Sequence, residues 1–201
     1  MALSLCATTV VFAAADPDAA VVKLRTSCQE AGGTATLNNC FTEMAGADGI
    51  QGWLDTLRTS TGPLSIEIGP GKFSPFFCTN KNNISLKGSG PDVSRLRSIS
   101  VTNCANFNVQ DLAISPSIYG FGVAWAGGGN SRWTNVTIEQ NLRGTIAAWY
   151  DVAETAADCT DSNKPVHYWF NSRLNGGTWT YIARCSENWF FGSEIMASGL
   201  G

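Results

Sequence analysis

The chain has 201 residues, which corresponds to one domain of ordinary size that is long enough to bury a hydrophobic core. Only 14% of the residues are charged and the formal net charge is −3, without a basic stripe, so nucleic-acid binding is not expected. The 21 glycines and the recurrent asparagines favour many short strands joined by turns.

The first fifteen residues form an apolar segment that ends in Ala13-Ala14-Ala15, just before the polar Asp16. This pattern predicts a secretory signal peptide at 1–15, although no Lys or Arg precedes the apolar run. The alternative is a buried first strand or helix. The run is shorter than the roughly 20 residues of a bilayer-spanning helix, and no membrane span is expected elsewhere. The predicted location is secreted or periplasmic.

Cysteine usage agrees with export. Cleavage after Ala15 would remove one cysteine and leave six, an even number that predicts a disulfide framework in an exported chain. Because there is one histidine and no C-x-x-C spacing, a zinc site is not expected. The seven cysteines are Cys6, Cys28, Cys40, Cys78, Cys104, Cys159 and Cys185.

Residues 16–60 are predicted to form a helical cap. Two amphipathic stretches, 21–25 and 50–57, have apolar residues at helical spacing. From about Leu64 the apolar period changes from 3.6 to 2, and short strands separated by Gly, Asn and Ser continue to the end of the chain.

These strands repeat. An Asn followed by a strand occurs at Asn83, Asn108 and Asn135, with spacings of 25 and 27 residues (108 − 83 and 135 − 108). A period of about 20 to 30 residues made of short strands predicts a β-helix, in which successive coils lie about 4.8 Å apart and equivalent residues stack. We therefore expect the strands after these asparagines to pair in parallel and the three asparagines to stack in one turn.

The repeats also predict one outward column of polar residues, in which Arg173 and Glu194 lie one coil apart. They would form an exposed ion pair worth less than about 1 kcal/mol. The column contains Asp111, Thr137, Arg173 and Glu194.

Three segments resemble the pectate-lyase-like superfamily of right-handed parallel β-helices. Residues 66–73 (IEIGPGKF) are similar to its I-x-P-P-G-x-Y/F turn, 84–90 (ISLKGSG) to its I-x-L-x-G-x-G segment, and 103–114 (NCANFNVQDLAI) to its N-C-x-N-V-x-I-x-N-L-x-I coil. The resemblance implies a single-domain, all-β fold: a right-handed parallel β-helix of about five coils over 61–201, behind the helical cap. It does not fix the activity, because the same coil serves lyases, hydrolases, esterases and phage tail spikes.

Hydrolysis of the polygalacturonase type is disfavoured, because the N-T-D, D-D, G-H-G and R-I-K motifs of those enzymes are absent. The single histidine, His167, is interpreted as a strand-entry residue. The resemblance instead implies a lyase, in which a base, commonly Arg, abstracts a proton beside a uronate carboxylate. The compact W-x-D-H segment of that family is also absent. The candidate catalytic residues are Arg143 and Asp151, and the candidate substrate-binding residues are Tyr119, Trp125, Glu139 and Tyr150.

An insertion at about 151–165 carries four carboxylates that could bind Ca²⁺, as the lyase chemistry would require. Asp158 and Asp161 are the candidate metal ligands, and the alternative is a solvated acidic loop.

Aromatic residues are numerous, and two roles are open to them. Trp133, Trp169 and Trp189 begin strands and are predicted to lie in the core. Trp125, Trp149 and Trp179 are predicted, with Tyr150, to line a groove where their rings would bind sugars.

The coil period also predicts the disulfides. Cys78 and Cys104 are 26 residues apart, as are Cys159 and Cys185, so each pair would lie one coil apart and within bonding reach. Cys28 and Cys40 would then pair by elimination.

The leading functional prediction is binding or cleavage of an extracellular acidic polysaccharide, with a polysaccharide lyase as the enzyme class. One alternative is a non-catalytic β-helix for carbohydrate binding or surface attachment. Another is a fragment of a larger β-helix enzyme, since family enzymes have more coils. The oligomeric state does not follow from the sequence.

Overall fold

The computed structural model describes residues 21–30, 36–57, 63–116, 120–139, 147–151, 164–176, 179–182 and 186–197. They form a parallel β-solenoid of about four turns with a single short helix, so the predicted fold class is confirmed with one turn fewer than expected. All pairings between the named strands are parallel.

The strands form two sheets that share one core. The twelve strands of the long sheet are β1 (Val21–Leu24), β2 (Cys40–Phe41), β3 (Leu64–Ile68), β4 (Gly71–Phe73), β6 (Ile84–Lys87), β7 (Ser94–Leu96), β9 (Phe107–Ile114), β11 (Ser131–Ile138), β13 (Val166–Phe170), β14 (Arg173–Gly176), β16 (Glu187–Phe191) and β17 (Glu194–Ala197). The five strands of the short sheet are β5 (Phe76–Thr79), β8 (Ile99–Cys104), β10 (Phe121–Gly128), β12 (Ala147–Asp151) and β15 (Trp179–Ile182).

The region before the coils is only partly helical. The stretch predicted as a first helix is strand β1, which pairs with β3 through Val22 and Ile66. The helical prediction was wrong because the stretch has only four strand residues, and its two buried positions, Val22 and Leu24, fit a helical period as well as a strand period. The β-branched valines favour the strand. The second stretch is a helix, α1 (Ile50–Thr56), as predicted. No helix in the described ranges has the length and apolar character needed to cross a membrane.

Helix α1 is fastened over the first strand of the short sheet. The Gln51 side chain accepts a hydrogen bond from the backbone N–H of Phe77 at 3.2 Å. Lys81 donates to the carbonyl of Leu57, which ends the helix, so a cation meets the negative end of the helix dipole. This end of the solenoid is therefore covered by side-chain contacts as well as by packing.

The core changes character along the solenoid. One inward column begins with Val22 and the aliphatic residues stacked on it, and ends with Trp133, Trp169 and Phe190. The rings of Trp133 and Trp169 stack at 4.8 Å, and those of Trp169 and Phe190 at 5.9 Å. Burial of both tryptophans confirms the predicted core role of Trp133 and Trp169. The later coils are thus held by stacked aromatic rings.

The corners use left-handed backbone, and this sets the asparagine stacking. Asn83 stacks on Asn106, whose Nδ2 donates to the Asn83 Oδ1 at 3.0 Å, and Asn135 donates to Asp111. These four residues have positive φ angles, which Asn and Asp tolerate better than most residues. The prediction that Asn83, Asn108 and Asn135 share one turn was therefore wrong: Asn108 lies within β9, where it pairs with Ser85.

The same shift in register changes the outward column. Thr137 pairs with Arg173, and Arg173 with Glu194, as predicted, and the last two form an exposed ion pair with Nε–Oε2 at 3.0 Å. Ala113, rather than the predicted Asp111, occupies the position beside Thr137, because Asp111 is needed at the corner.

Two of the predicted disulfides are present. Cys78–Cys104 joins successive coils with a Cα–Cα distance of 6.3 Å, and Cys28–Cys40 joins the segment before β2 to β2 itself. Cys159 and Cys185 lie outside the described residues, as does the predicted signal peptide at 1–15.

Candidate functional site

The outer face of the long sheet carries a group of exposed aromatic side chains at its C-terminal end. Strands β13 and β16 pair so that Tyr168 meets Trp189 and Phe170 meets Phe191. The Phe170 and Phe191 rings stack at 5.0 Å with 11° between their planes. Tyr168, Trp189 and Phe191 are 39%, 50% and 46% exposed. We call these four residues the aromatic platform. Adjacent aromatic rings on the outer side of paired strands can pack against the apolar faces of sugars.

The platform continues into polar residues along the same face. Arg132, in the preceding coil, lies over the Phe170 ring with its guanidinium carbon 4.4 Å from the ring centroid. In earlier coils, the positions equivalent to Tyr168 hold Ser65, Ser85 and Asn108, and those equivalent to Phe170 include charged side chains. At the N-terminal end of the face a groove of about 290 Å³ is lined by Pro63, Leu64, Ser65, Asn83, Ser85, Asn106 and Asn108. Hydroxyl and amide groups of this kind both donate and accept hydrogen bonds, as sugar hydroxyls do.

The charge of this face is opposite to that of the whole chain. The two outward columns that end at Trp189 and Phe191 contain three cations, Lys23, Lys87 and Arg132, and one anion, Glu67. A second anion, Glu187, faces outward on β16. Glu67 is paired with Arg25 at 3.5 Å. The face is therefore cationic in a chain whose formal net charge is −3, which favours an acidic partner.

Most of the site predicted from lyase chemistry lies outside the described side chains. Arg143, Tyr119, Asp158 and Asp161 are in segments that the structure does not describe. The backbones of Tyr150 and Asp151 belong to β12, where Asp151 pairs with Trp125 of β10, and their side chains are likewise outside the description. The predicted catalytic pair therefore stays a prediction.

Glu139 is the one predicted substrate-binding carboxylate that the structure describes. Its Oε1 accepts from Arg95 Nε at 3.1 Å, and its Oε2 accepts from the Ser115 hydroxyl. Ser115 comes from the adjacent coil and Arg95 from the coil before that. The Glu139 side chain is 35% exposed. The carboxylate is thus held in a fixed position with both oxygens engaged, as a positioned anion at the corner after β11.

Three tryptophan predictions are corrected. Trp125 and Trp149 were predicted to line a groove, but both rings are wholly buried and stack on each other at 5.8 Å, so neither can meet a sugar. Trp189 was predicted to be core and is on the outer face instead. It pairs with Tyr168 rather than Trp169, and a shift of one residue along a strand moves a side chain to the opposite face.

His167 is buried among these tryptophans. Its ring centroid is 4.6 Å from that of Trp125 and 4.9 Å from that of Trp149, and its Nδ1 is 2.7 Å from the Ser131 hydroxyl, which also accepts from Trp133. Burial lowers the pKa of His167 to about 3. Its Nε2 has no hydrogen-bond partner among the described residues. A neutral, inaccessible imidazole is part of the core, which agrees with a structural rather than a catalytic histidine.

Metal-binding groups are not found in the described part of the chain. No cluster of three or more His, Cys, Asp or Glu side chains occurs there that could hold an ion. The predicted Ca²⁺ ligands, Asp158 and Asp161, lie outside it, so the calcium site stays a prediction.

The aromatic platform was missed, although the sequence contained a signal for it. Three consecutive aromatic residues occur at Tyr168-Trp169-Phe170 and again at Trp189-Phe190-Phe191, 21 residues later. Because alternate residues of a strand face opposite sides, each triplet must place two rings on one face. Because this coil is 21 residues long, Tyr168 and Phe170 lie beside Trp189 and Phe191 of the next coil.

Comparison with models of protein families, with curated proteins and with solved structures found no match to this chain. The resemblance to the pectate-lyase-like superfamily therefore holds at the level of the parallel β-helix, and membership in that superfamily stays a prediction.

Proposed function

We propose that this protein binds an acidic polysaccharide along the outer face of its long sheet. The observation that carries the proposal is the aromatic platform, which continues through Arg132 into a polar and cationic surface. In a β-helix the coils are spaced at about 4.8 Å, so a polymer lying along the axis would meet the same kind of position in every coil.

Different residues of this face would bind different groups of the polysaccharide. Tyr168, Trp189 and Phe191 would pack against sugar ring faces at the C-terminal end. Arg132 and Lys87 would form ion pairs with carboxylates of the polysaccharide. The guanidinium of Arg132 is already oriented by stacking on Phe170. The groove at the other end would accept sugar hydroxyls on Asn and Ser side chains.

Retardation in a native gel that contains polysaccharide tests the charge preference. We expect a uronate polymer to retard the protein more than a neutral glucan, and the retardation to fall as salt is added, because exposed charges are screened. Arg132→Gln should reduce it, whereas Arg97→Gln, a change of another exposed arginine that lies after β7, should not. Equal retardation by neutral and acidic polymers would contradict an acidic ligand, and no retardation by either would contradict carbohydrate binding.

Export to an oxidising compartment is part of this proposal. The two disulfides support it, because such bonds persist mainly in secreted or periplasmic proteins. An extracellular polysaccharide would be accessible to the protein there.

Cleavage would be a further step, and it is the function of the predicted pair Arg143 and Asp151. Elimination beside a uronate carboxylate gives an unsaturated product that absorbs in the ultraviolet. Incubation with uronate polymers, with and without Ca²⁺, therefore separates a lyase from a binding protein. Binding without absorbance would leave carbohydrate binding as the function.

A further inference from the structure

The outer face of the long sheet carries a column of side chains in which cations alternate with other residues. Strands β1, β3, β6, β9, β11, β13 and β16 follow one another in this sheet, so equivalent residues lie about 4.8 Å apart. Lys23 is on the first of these strands and Lys87 is on the third. Lys23 is half-buried and Lys87 is exposed. The column, which we call the lysine column, contains Lys23, Glu67, Lys87, Gln110, Thr134, Phe170 and Phe191.

The Arg132 side chain, on the fifth of these strands, reaches the lysine column from the column beside it. Its Nε lies 3.5 Å from the Thr134 hydroxyl, and its guanidinium carbon lies 4.4 Å from the Phe170 ring centroid. Thr134 and Phe170 both belong to the lysine column, so these contacts bring the charge of Arg132 toward the line of the two lysines. Within the described residues, the contacts use Nε and one face of the guanidinium and leave the two Nη groups available to a carboxylate.

Cations therefore occur on every second strand, at β1, β6 and β11, and two strand spacings correspond to about 9.6 Å. The two strands between them add no net charge to the lysine column. On β3, Glu67 is neutralised by Arg25, whose guanidinium lies 3.5 Å from the Glu67 carboxylate and 2.7 Å from its backbone carbonyl. On β9, Gln110 is an uncharged amide that donates to Asp111 at the corner. The lysine column thus presents one cation for every two strands.

We propose that the ligand of this face is an acidic polysaccharide with a disaccharide repeat, in which one sugar carries a carboxylate and the next sugar is uncharged. This inference rests on the proposed function and specifies its ligand. An extended chain of linked pyranose rings advances by about one strand spacing per ring, so a chain along the lysine column would bring every second ring to a cation. The carboxylates of an alternating polymer would then meet Lys23, Lys87 and Arg132 in turn.

A polymer with a carboxylate on every ring fits this column less well. Its carboxylates beside β3 and β9 would lie next to Glu67, which already binds Arg25, and next to the Gln110 amide, which donates to Asp111. Placing an anion there costs desolvation and repulsion without a new ion pair. The C-terminal end of the column also suits an uncharged sugar, because Phe170 and Phe191 are apolar and stack at 5.0 Å. The lysine column therefore favours alternation over the largest number of acid groups.

Calorimetric titration of the full chain with two acidic probes tests the proposal. The first probe is an oligosaccharide of alternating glucuronate and N-acetylglucosamine, and the second is an oligogalacturonate with the same number of rings. Each should have about eight rings, enough to cover the seven strands at about 4.8 Å per strand. We expect the wild type to bind the alternating probe about threefold to fivefold more tightly, which is the effect of a single exposed charge contact.

A variant that conserves charge tests the spacing itself. Lys87→Gln combined with Gln110→Lys keeps the net charge and moves one cation by one strand, from β6 to β9. The preference for the alternating probe should fall about threefold, because the cations would then lie on β1, β9 and β11. Lys87→Arg is the matched control, since it keeps a cation on β6 and should keep the wild-type preference.

The outcomes of this titration separate the alternating ligand from the proposed function. Equal affinity of the wild type for the two acidic probes, or an unchanged preference in the double variant, would overturn the alternating ligand and leave binding of acidic polysaccharide in place. If the wild type binds neither acidic probe, the proposed function itself is contradicted, and the alternating ligand with it.

Discussion

Acid should destabilise this protein through one buried side chain, His167. The imidazole is fully buried between Trp125 and Trp149, and burial lowers its pKa from 6.5 to about 3. Below pH 6.5 the unfolded chain therefore binds a proton that the folded protein does not. Proton binding to the unfolded state lowers the free energy of unfolding as pH falls, from about pH 6.5 down to the folded pKa, and has no effect above this window.

The magnitude follows from the size of that window. One pKa unit corresponds to about 1.36 kcal/mol, so the free energy of unfolding should fall by about 2 kcal/mol between pH 7.5 and pH 5. The described groups that face the ring from the packed strands are Trp125, Ser131, Trp149 and, by register, Asn188, none of which titrates in this range. His167 should therefore dominate the change.

Urea unfolding at a series of pH values, followed by tryptophan fluorescence, measures this effect. His167→Gln removes the titrating group and keeps an amide beside Ser131, so its stability should change about 2 kcal/mol less than that of the wild type over the same pH range. Because the chain has one histidine, NMR can also follow the folded imidazole directly, and it should not titrate between pH 7.5 and pH 5. Parallel pH profiles for the two proteins, or a folded imidazole that titrates near 6.5, would refute this reasoning.

Three further changes test the packing of the coils by urea unfolding. Replacing both Cys78 and Cys104 with Ser should lower the free energy of unfolding by about 3.5 kcal/mol, which is the chain entropy of closing a loop with a sequence separation of 26. An unchanged urea midpoint would contradict the Cys78–Cys104 disulfide. Gly88→Ala should cost about 2 kcal/mol or more, because a Cβ there would lie 2.1 Å from a backbone oxygen of the next coil, and a neutral result would show that the coils are further apart. Lys81→Met should cost about 1 to 2 kcal/mol by removing the donor to the Leu57 carbonyl, and a change below 0.5 kcal/mol, taken as a rough limit for a surface effect, would argue against that contact.

The sequence was sufficient to predict the solenoid because its signals are local and repeated. Alternating apolar residues, corners rich in Asn and Gly, and a 26-residue cysteine spacing each reflect the geometry of one coil. The Cys78–Cys104 bond and the Arg173–Glu194 pair both follow from the stacking of successive coils and are present.

The register could not be predicted from the same repeats, because more than one asparagine surrounds each corner. Asn106 precedes β9 and Asn108 is its second residue, and only the backbone shows that Asn106 has the left-handed conformation required at the corner. The predicted register of β9 was wrong by two residues. Ala113 therefore occupies the position predicted for Asp111, and Asn106 the position predicted for Asn108. For Trp189, an error of one residue exchanged core and surface, and so concealed the aromatic platform.

The predicted lyase site depended on insertions rather than on the repeat. Arg143 and the acidic residues near Asp158 lie in segments between strands, where no stacking rule fixes the position of a side chain. Glu139, directly after β11, is the carboxylate of the predicted site that the structure describes. Its contacts with Arg95 and Ser115 follow from coil stacking.

Calorimetric titration with a uronate oligosaccharide tests the central claim, that the aromatic platform binds acidic polysaccharide, most directly. Stacking of a sugar on each ring should contribute about 1 kcal/mol, so Tyr168→Ala should weaken binding about fivefold and the double variant with Trp189→Ala by an order of magnitude or more. Phe77→Ala, which removes a ring that is 44% exposed on the short sheet, should bind like the wild type. If both platform variants bind as tightly as the wild type while Phe77→Ala is equally unaffected, the outer face of the long sheet is not the binding site.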